Sequence, residues 1–257
     1  SATAAARAGK HVLCEKPLAV SRAEAVLMFD TAREAGVLLL EAYPYWFQPQ
    51  TGDLVRLLAE GAIGRVRSVQ ATFGFTVPQP DTNIRMKPDL GGGALLDAGS
   101  YGVSLVRLAM GDAPQRAWAH ATWADSGVDL STTGTLMWDD GRRAQVSCAM
   151  DGGLHRHAVL VGEQGVLETE FLNHTHDATS GHPWGFQPSL MRLRRGAANR
   201  GAWEQPLSGT GSGFRFAAEA FAGLVARADH AAAGRAAQAS VDIAAMLQAL
   251  GESARTG

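Results

Sequence analysis

Residues 11–43 read HVLCEKPLAVSRAEAVLMFDTAREAGVLLLEAY, and the hydrophobic period changes twice within them. Residues 11–14 are a short apolar run of strand length. Ser21, with Glu24 three positions on, is a capping box that opens a helix running to about Ala35. Gly36 ends that helix, and residues 37–43 form a second, continuous apolar run. Strand, helix and strand at this spacing make one βαβ crossover, which requires a parallel sheet.

Working outward, residues 4–8 look like the end of an amphipathic helix closed by Gly9. The chain thus opens inside an αβ unit, which predicts a fragment or the product of a truncated gene. The start has neither the basic residues nor the long apolar region of a secretory signal. Downstream, residues 52–59 read as helix, Gly61 and Gly64 bracket a turn, and residues 66–77 alternate as a half-buried strand does. Beyond residue 115 the runs 116–123, 132–150 and 155–171 are strand-like, with hairpin turns at Asp140-Gly141 and Gln164-Gly165. Residues 173–213 read as long loops and short strands, with SGTGSG (208–213) a flexible linker. Helices follow over 214–228 and 240–254, joined through an Ala-rich link at 231–237. The fold class is α/β followed by α+β. Residues 1–44 are the C-terminal remnant of a Rossmann parallel sheet. Residues 45–257 are an open, mostly antiparallel sheet domain with helices on one face.

Composition narrows the function. In 257 residues, 46% are hydrophobic and 19% charged, with a formal net charge of -2. There is no basic run for nucleic acid or an anionic membrane, and no apolar stretch of the ~20 residues a membrane span needs. Cys14 and Cys148 lie far apart in apolar or strand-like runs, which fits reduced thiols and a cytoplasmic setting.

Two segments carry chemistry. LGGGALLDAGSYGVSL (90–105) could be a phosphate cradle or a catalytic helix. A cradle needs G-x-G-x-x-G directly after a strand. RMKPDL before it is loop-like, the spacing is wrong, and no Walker lysine follows. As a helix over 94–109, the segment places Asp97 and Tyr101 one turn apart on one face. Gly99 and Gly102 would then remove side chains beside them. Helix packing with an exposed tyrosine explains the same pattern. The second segment, LCEKPLA (13–19), puts Glu15 and Lys16 at the carboxyl end of a buried parallel strand, where α/β sheets bind ligands. Pro17 restrains how Lys16 is presented. A solvated charge pair is the alternative there.

His155, His157, His174, His176 and His182 invite a metal reading, since i and i+2 share a strand face. No carboxylate or cysteine sits at matching spacing, so no metal is assigned. Trp118, Trp123 and Trp138 fall on strands and are read as core or subunit face.

CEKPLA, EAYPYWFQPQ, GAIGRVRSV and NIRMKPDLGGGALLDAGSYGVSLVRLAMG, in that order, resemble the glucose–fructose oxidoreductase/inositol dehydrogenase (Gfo/Idh/MocA) family. The resemblance runs essentially end to end. EKP and GGGxLxDxGxY are specific together and weak singly. It implies an N-terminal Rossmann domain with NAD or NADP, NADP favoured. On the order of 100 residues, with the glycine fingerprint, would precede this chain. It also implies a homo-oligomer, dimer or tetramer, through the antiparallel sheet.

Residue by residue, Lys16 matches the EKP lysine beside the nicotinamide and the reacting hydroxyl, with Glu15 and Pro17 as cofactor contacts. Asp97 matches the aspartate of the glycine-led helix. Tyr101 stands where many members carry His, as in the Lys/Tyr subgroup that includes dihydrodiol and xylose dehydrogenases. Arg85 is retained, for the substrate or the helix entry. Trp46 and Gln48 replace an Arg and a His, and Ser104 replaces an Asp or Asn, which weakens inositol-type recognition.

The implied activity is hydride transfer between nicotinamide and a sugar or related polyhydroxylated substrate. This means aldose or dihydrodiol oxidation, or ketosugar reduction. Tyr101 would be the general acid/base, Lys16 would lower its pKa, and Asp97 would orient Lys16 or the substrate hydroxyl. The alternative is a non-catalytic sugar- or partner-binding protein on the same fold, since no nucleotide fingerprint occurs in these residues.

Overall fold

The computed structural model describes residues 1–176, 188–197 and 201–256. Its first layer comprises α1 (Ala2–Arg7), β1 (Val12–Glu15), α2 (Arg22–Glu34) and β2 (Leu39–Ala42). β1 and β2 run parallel, from Val12 opposite Leu39 to Glu15 opposite Ala42, with α2 as the crossover. The Ser21 half of the capping box is present, while Glu24 reaches back one residue further, to Val20. The Ser21 hydroxyl accepts from the Glu24 N–H at 3.2 Å, and Glu24 accepts from the Val20 N–H at 3.1 Å.

A 3-10 turn (Pro44–Phe47) and α3 (Pro49–Ala59) lead into β3 (Val66–Thr76). A π-helical turn (Leu95–Gly99) then continues into α4 (Ser100–Met110). The remaining strands are β4 (Arg116–Trp123), β5 (Asp129–Met137), β6 (Arg143–Ala149), β7 (Asp151–Gly162), β8 (Gly165–Thr169) and β9 (Met191–Arg195). They join β3 in a seven-stranded sheet of order β4-β5-β6-β3-β7-β8-β9. Every described pairing in it is antiparallel except β3 with β6, so the sheet is mostly antiparallel with one parallel seam. The β7–β8 hairpin closes at Gly162 opposite Gly165, so Glu163 and Gln164 form its turn.

Alternation along β3 buries Val69, Ala71 and Phe73 and exposes Gln70. The inner face packs on α4 and the π turn, whereas Thr133, Gln145 and Ser147 are exposed on the outer face. Gly99 and Gly102 belong to this packing. A Cβ at Gly99 would lie 3.0 Å from Cys148 Sγ, and one at Gly102 3.0 Å from Val146 Cγ1. These glycines let the helix settle on the sheet. They do not clear space beside Asp97 and Tyr101 as the sequence reading had them do.

The chain closes with α5 (Gly213–Arg227) and α6 (His230–Thr256). The Ala-rich stretch 231–237 is the first part of α6 rather than a link, because alanine has the highest helix propensity and its five alanines outweigh the cost of about 1 kcal/mol at Gly234. Val241 and Ala244 of α6 complete the core of the parallel layer. Ile243, Met246, Leu247 and Leu250 enter the core beneath the large sheet. The 208–213 segment is docked, with Ser208 donating to Asp53 at 2.7 Å and the Gly211 N–H to Thr175 at 2.9 Å. Trp138 is core at 1% exposure, whereas Trp118 and Trp123 are exposed. Both cysteines are free thiols. Among the described residues, no helix is long and apolar enough to cross a membrane.

Candidate active site

The carboxyl end of β1, the π turn before α4 and the paired ends of β3 and β7 converge on one cleft of about 480 Å³. Glu15, Lys16, Arg85, Asp97, Tyr101 and Arg156 are among its lining residues. Lys16 leaves β1 through a cis peptide to Pro17. The next turn is anchored by Glu41, 2% exposed on β2, whose Oε1 accepts the Leu18 N–H at 2.8 Å. Burial pushes the Glu41 carboxyl above its usual range.

Asp97 is the electrostatic centre. The Lys16 ammonium donates to its Oδ1 at 3.0 Å and to its backbone carbonyl at 2.8 Å, and Arg85 Nε donates to Oδ2 at 2.6 Å. Burial alone would raise this carboxyl, but the opposing pull of Lys16 and Arg85 outweighs it and holds Asp97 below the usual carboxylate range. The π turn places Asp97 where α4 begins, a local distortion that recurs at functional sites.

The three glycines before it shape this frame. The Gly93 N–H donates to the Arg85 carbonyl at 2.9 Å and the Gly92 N–H to the Lys87 carbonyl at 3.0 Å, so the segment wraps the Arg85 turn. Gly93 has φ 115, and a Cβ there would overlap the Asp129 carboxylate. That carboxylate accepts the Leu95 N–H and the Thr132 hydroxyl, each at 2.7 Å, and so caps the π turn.

Tyr101, 6% exposed, packs edge-on against Phe73 with ring centroids 5.0 Å apart. Its hydroxyl accepts a hydrogen bond from Asn173 Nδ2 at 2.8 Å. Burial raises the Tyr101 pKa above the usual tyrosine value, with Asn173 and then Arg156 opposing the rise. The Lys16 ammonium lies over the ring face, 4.6 Å from its centroid. Arg156 is a cation whose charge opposes the rise at Tyr101, while Lys16 stands over the face of the ring.

The sequence-derived residues Glu15, Lys16, Arg85, Asp97 and Tyr101 thus meet in one cleft, with Pro17 in the turn behind Lys16. Asn173 and Arg156 were not singled out in the sequence. Asn173 lies in a loop without periodicity, which leaves no pattern to read. Arg156 had a signal: it shares strand parity with the buried Ala158 and Leu160, an arginine at an inward position. Gln48, at the family's His position, is buried and donates to the Asn173 and Gly211 carbonyls at 2.9 Å each, fixing the loop that carries Asn173. Ser104 is also buried, bonded to the Tyr45 hydroxyl at 2.7 Å, and Trp46 donates to that same hydroxyl at 2.8 Å. His155 contacts the Gly153 carbonyl, and His157 lies 3.7 Å from Glu168. His182 lies outside the described residues.

Family comparisons agree with this architecture. Residues 53–168 match the model of the GFO/IDH/MocA C-terminal domain, and residues 1–43 match that of the oxidoreductase family with an NAD-binding Rossmann fold. A D-xylose 1-dehydrogenase (NADP(+)) of Haloferax volcanii is 44% identical over 149 residues, covering 58% of this chain and 45% of that protein. The chain spans about half the length of the curated relatives it matches. KijD10, a 3-ketoreductase from Actinomadura kijaniata solved with NADP and TDP-benzene, superposes with a TM-score of 0.81 at 30% identity. That match covers 98% of this chain and 73% of KijD10. An aldose-aldose oxidoreductase from Caulobacter crescentus, complexed with glycerol, gives 0.82 at 26% identity, covering 99% and 72%.

Proposed function

The chain belongs to the GFO/IDH/MocA oxidoreductase family, and from that premise we propose that it transfers a hydride between a nicotinamide cofactor and a sugar or related polyhydroxylated substrate. The observation that carries this reading is the Tyr101 hydroxyl, held by Asn173 in the cleft where Asp97 clamps Lys16. The NADP named for the xylose dehydrogenase and bound in KijD10 favours NADP over NAD. Glu15, Lys16 and Pro17 would hold the nicotinamide end. An ammonium at the carboxyl end of a parallel strand fits that part of a dinucleotide site. When bound, the cofactor supplies or accepts the hydride.

The remaining chemistry belongs to the protein. Because Asn173 donates to Tyr101 Oη, the phenolic hydrogen is free to point elsewhere, and burial keeps it on the oxygen at neutral pH. Tyr101 can therefore deliver its proton to a substrate carbonyl oxygen as negative charge develops there. In the oxidative direction Tyr101 first releases that proton to solvent, and the phenolate, stabilised by Asn173 and Arg156, then takes the carbinol proton. Lys16 has three N–H donors, of which two go to Asp97, leaving one for the reacting oxygen. Arg85 keeps Asp97 ionised and in place.

The outer face of the large sheet, with Trp118 51% exposed, supports a homo-oligomer formed through that face. The two free thiols support a cytoplasmic setting for the enzyme. The test is turnover, followed by NADPH absorbance, across aldoses and ketosugars. Tyr101→Phe should lower kcat by about 10²–10⁴ with little change in cofactor affinity. Turnover within threefold of wild type in that variant removes the assignment.

A further inference from the structure

Three cations, Lys16, Arg85 and Arg156, face two carboxylates, Glu15 and Asp97, around the cleft. Lys16 and Arg85 both pair with Asp97. Arg156 does not share this arrangement. Among the described residues no carboxylate stands within ion-pair distance of it, and its Nε is buried without a hydrogen-bond partner. Burial pulls the Arg156 guanidinium below its usual pKa, and the influence of Tyr101 and Glu170 does not offset that. Asn173 Oδ1, in the same wall, is also buried and unpartnered.

The geometry of Arg156 is set by the sheet. It stands directly opposite Phe73 in the antiparallel β3–β7 register, and its guanidinium lies 4.8 Å from the centre of the Phe73 ring. Contact with the ring holds the guanidinium in place, and with Nε buried its terminal N–H groups remain for a ligand. Guanidinium N–H groups pair well with carboxylate and phosphate oxygens. A guanidinium taken out of water without a counter-ion is destabilising, and an incoming anion relieves it.

Resting on the oxidoreductase reading of this cleft, we propose that the substrate carries an anionic substituent and that Arg156 binds it. Arg156 and Tyr101 line one cleft of about 480 Å³, so the anion is borne on the sugar that reacts: a sugar acid or a sugar phosphate. Arg156 is then the residue that separates charged from neutral polyols, while Tyr101 and Lys16 address the carbinol.

The test is a ligand-observed NMR titration of the chain at low salt with three probes: D-glucose, D-glucuronate and D-glucose 6-phosphate. One of the two charged sugars should bind at least tenfold tighter than glucose, and which one identifies the anion as carboxylate or phosphate. Arg156→Gln should bring all three to within threefold of one another. Arg156→Lys, which keeps the charge but loses the guanidinium, should retain an intermediate preference, and it carries the test if the Gln variant does not fold. Equal affinities in the wild type, or a preference unchanged in these variants, overturn the role of Arg156 and leave the sugar site standing. Failure of all three sugars to bind overturns the anion site and the sugar-site reading together.

Discussion

Replacing Asp97 by Asn tests whether the site is held by one shared carboxylate. The substitution keeps the shape but removes the charge that pairs with Lys16 and Arg85, whose side chains are 11% and 39% exposed. Breaking a buried ion pair costs about 3–5 kcal/mol and an exposed one about 0–1 kcal/mol. Asp97, with its side chain 22% exposed, falls between these limits, which gives about 2 kcal/mol at pH 7. For a chain of this size that lowers Tm by about 4–8 °C.

Lys16→Met leaves Asp97 paired with Arg85 and should cost about 1 kcal/mol. The double variant should be less destabilised than the sum of the two by about 1 kcal/mol, since both remove one interaction. The pH dependence has a definite sign. An unfolded Asp titrates near ~3.9, and in the fold Asp97 is held lower. Between those values the unfolded chain binds a proton that the folded chain does not, so the carboxylate's contribution is complete above the unfolded pKa. It is lost as pH falls through the folded one. In thermal melts from pH 7 to pH 3, the gap between wild type and Asp97→Asn should narrow as pH falls below ~3.9. A gap that stays constant over that range, or is absent at pH 7, refutes the shared-carboxylate account.

Two further predictions follow from the same frame. All three tyrosines have raised pKa values, with Tyr43 and Tyr45 fully buried and displaced furthest. A free tyrosine is half ionised near pH ~10, whereas absorbance at 295 nm should show almost no tyrosinate there; one phenolate per chain by that pH would contradict a shielded Tyr101. Gly93→Ala, with its positive φ and overlap on the Asp129 cap, should cost about 3 kcal/mol in urea unfolding. Gly152→Ala, where a Cβ meets nothing within 4 Å, should lie within about 0.5 kcal/mol of wild type. Equal midpoints for the two variants would show that the Asp129 cap does not depend on Gly93.

What could be read from the chain tracks how local the physics is. The Ser21–Glu24 box, Gly36 and the two apolar runs fix the βαβ unit within a few residues of one another, and the structure has it there. Alternation in 66–77 gave β3 because strand parity is set by the backbone. The parallel seam between β3 and β6 could not be read the same way, since it depends on where the chain returns after α4. Lys16, Asp97 and Tyr101 were legible as chemical types in suggestive places, but their distances come from elements 81 residues apart in the chain. Gly99 and Gly102 show the reverse error. Adjacency in sequence placed them beside the functional pair, while the helix turned them onto Cys148 and Val146.

Helix α6 has a mechanical consequence. Its neighbouring residues Ile243 and Ala244 point into different cores, one beneath the large sheet and one in the parallel layer. A rotation or fraying of this single rod disturbs both at once. The two layers therefore share one spine, and their melting is thermodynamically joined: neither can lose α6 and keep its own interior intact. The cleft lies between layers fastened in this way, so its geometry is inherited from a helix that contributes no side chain to its lining.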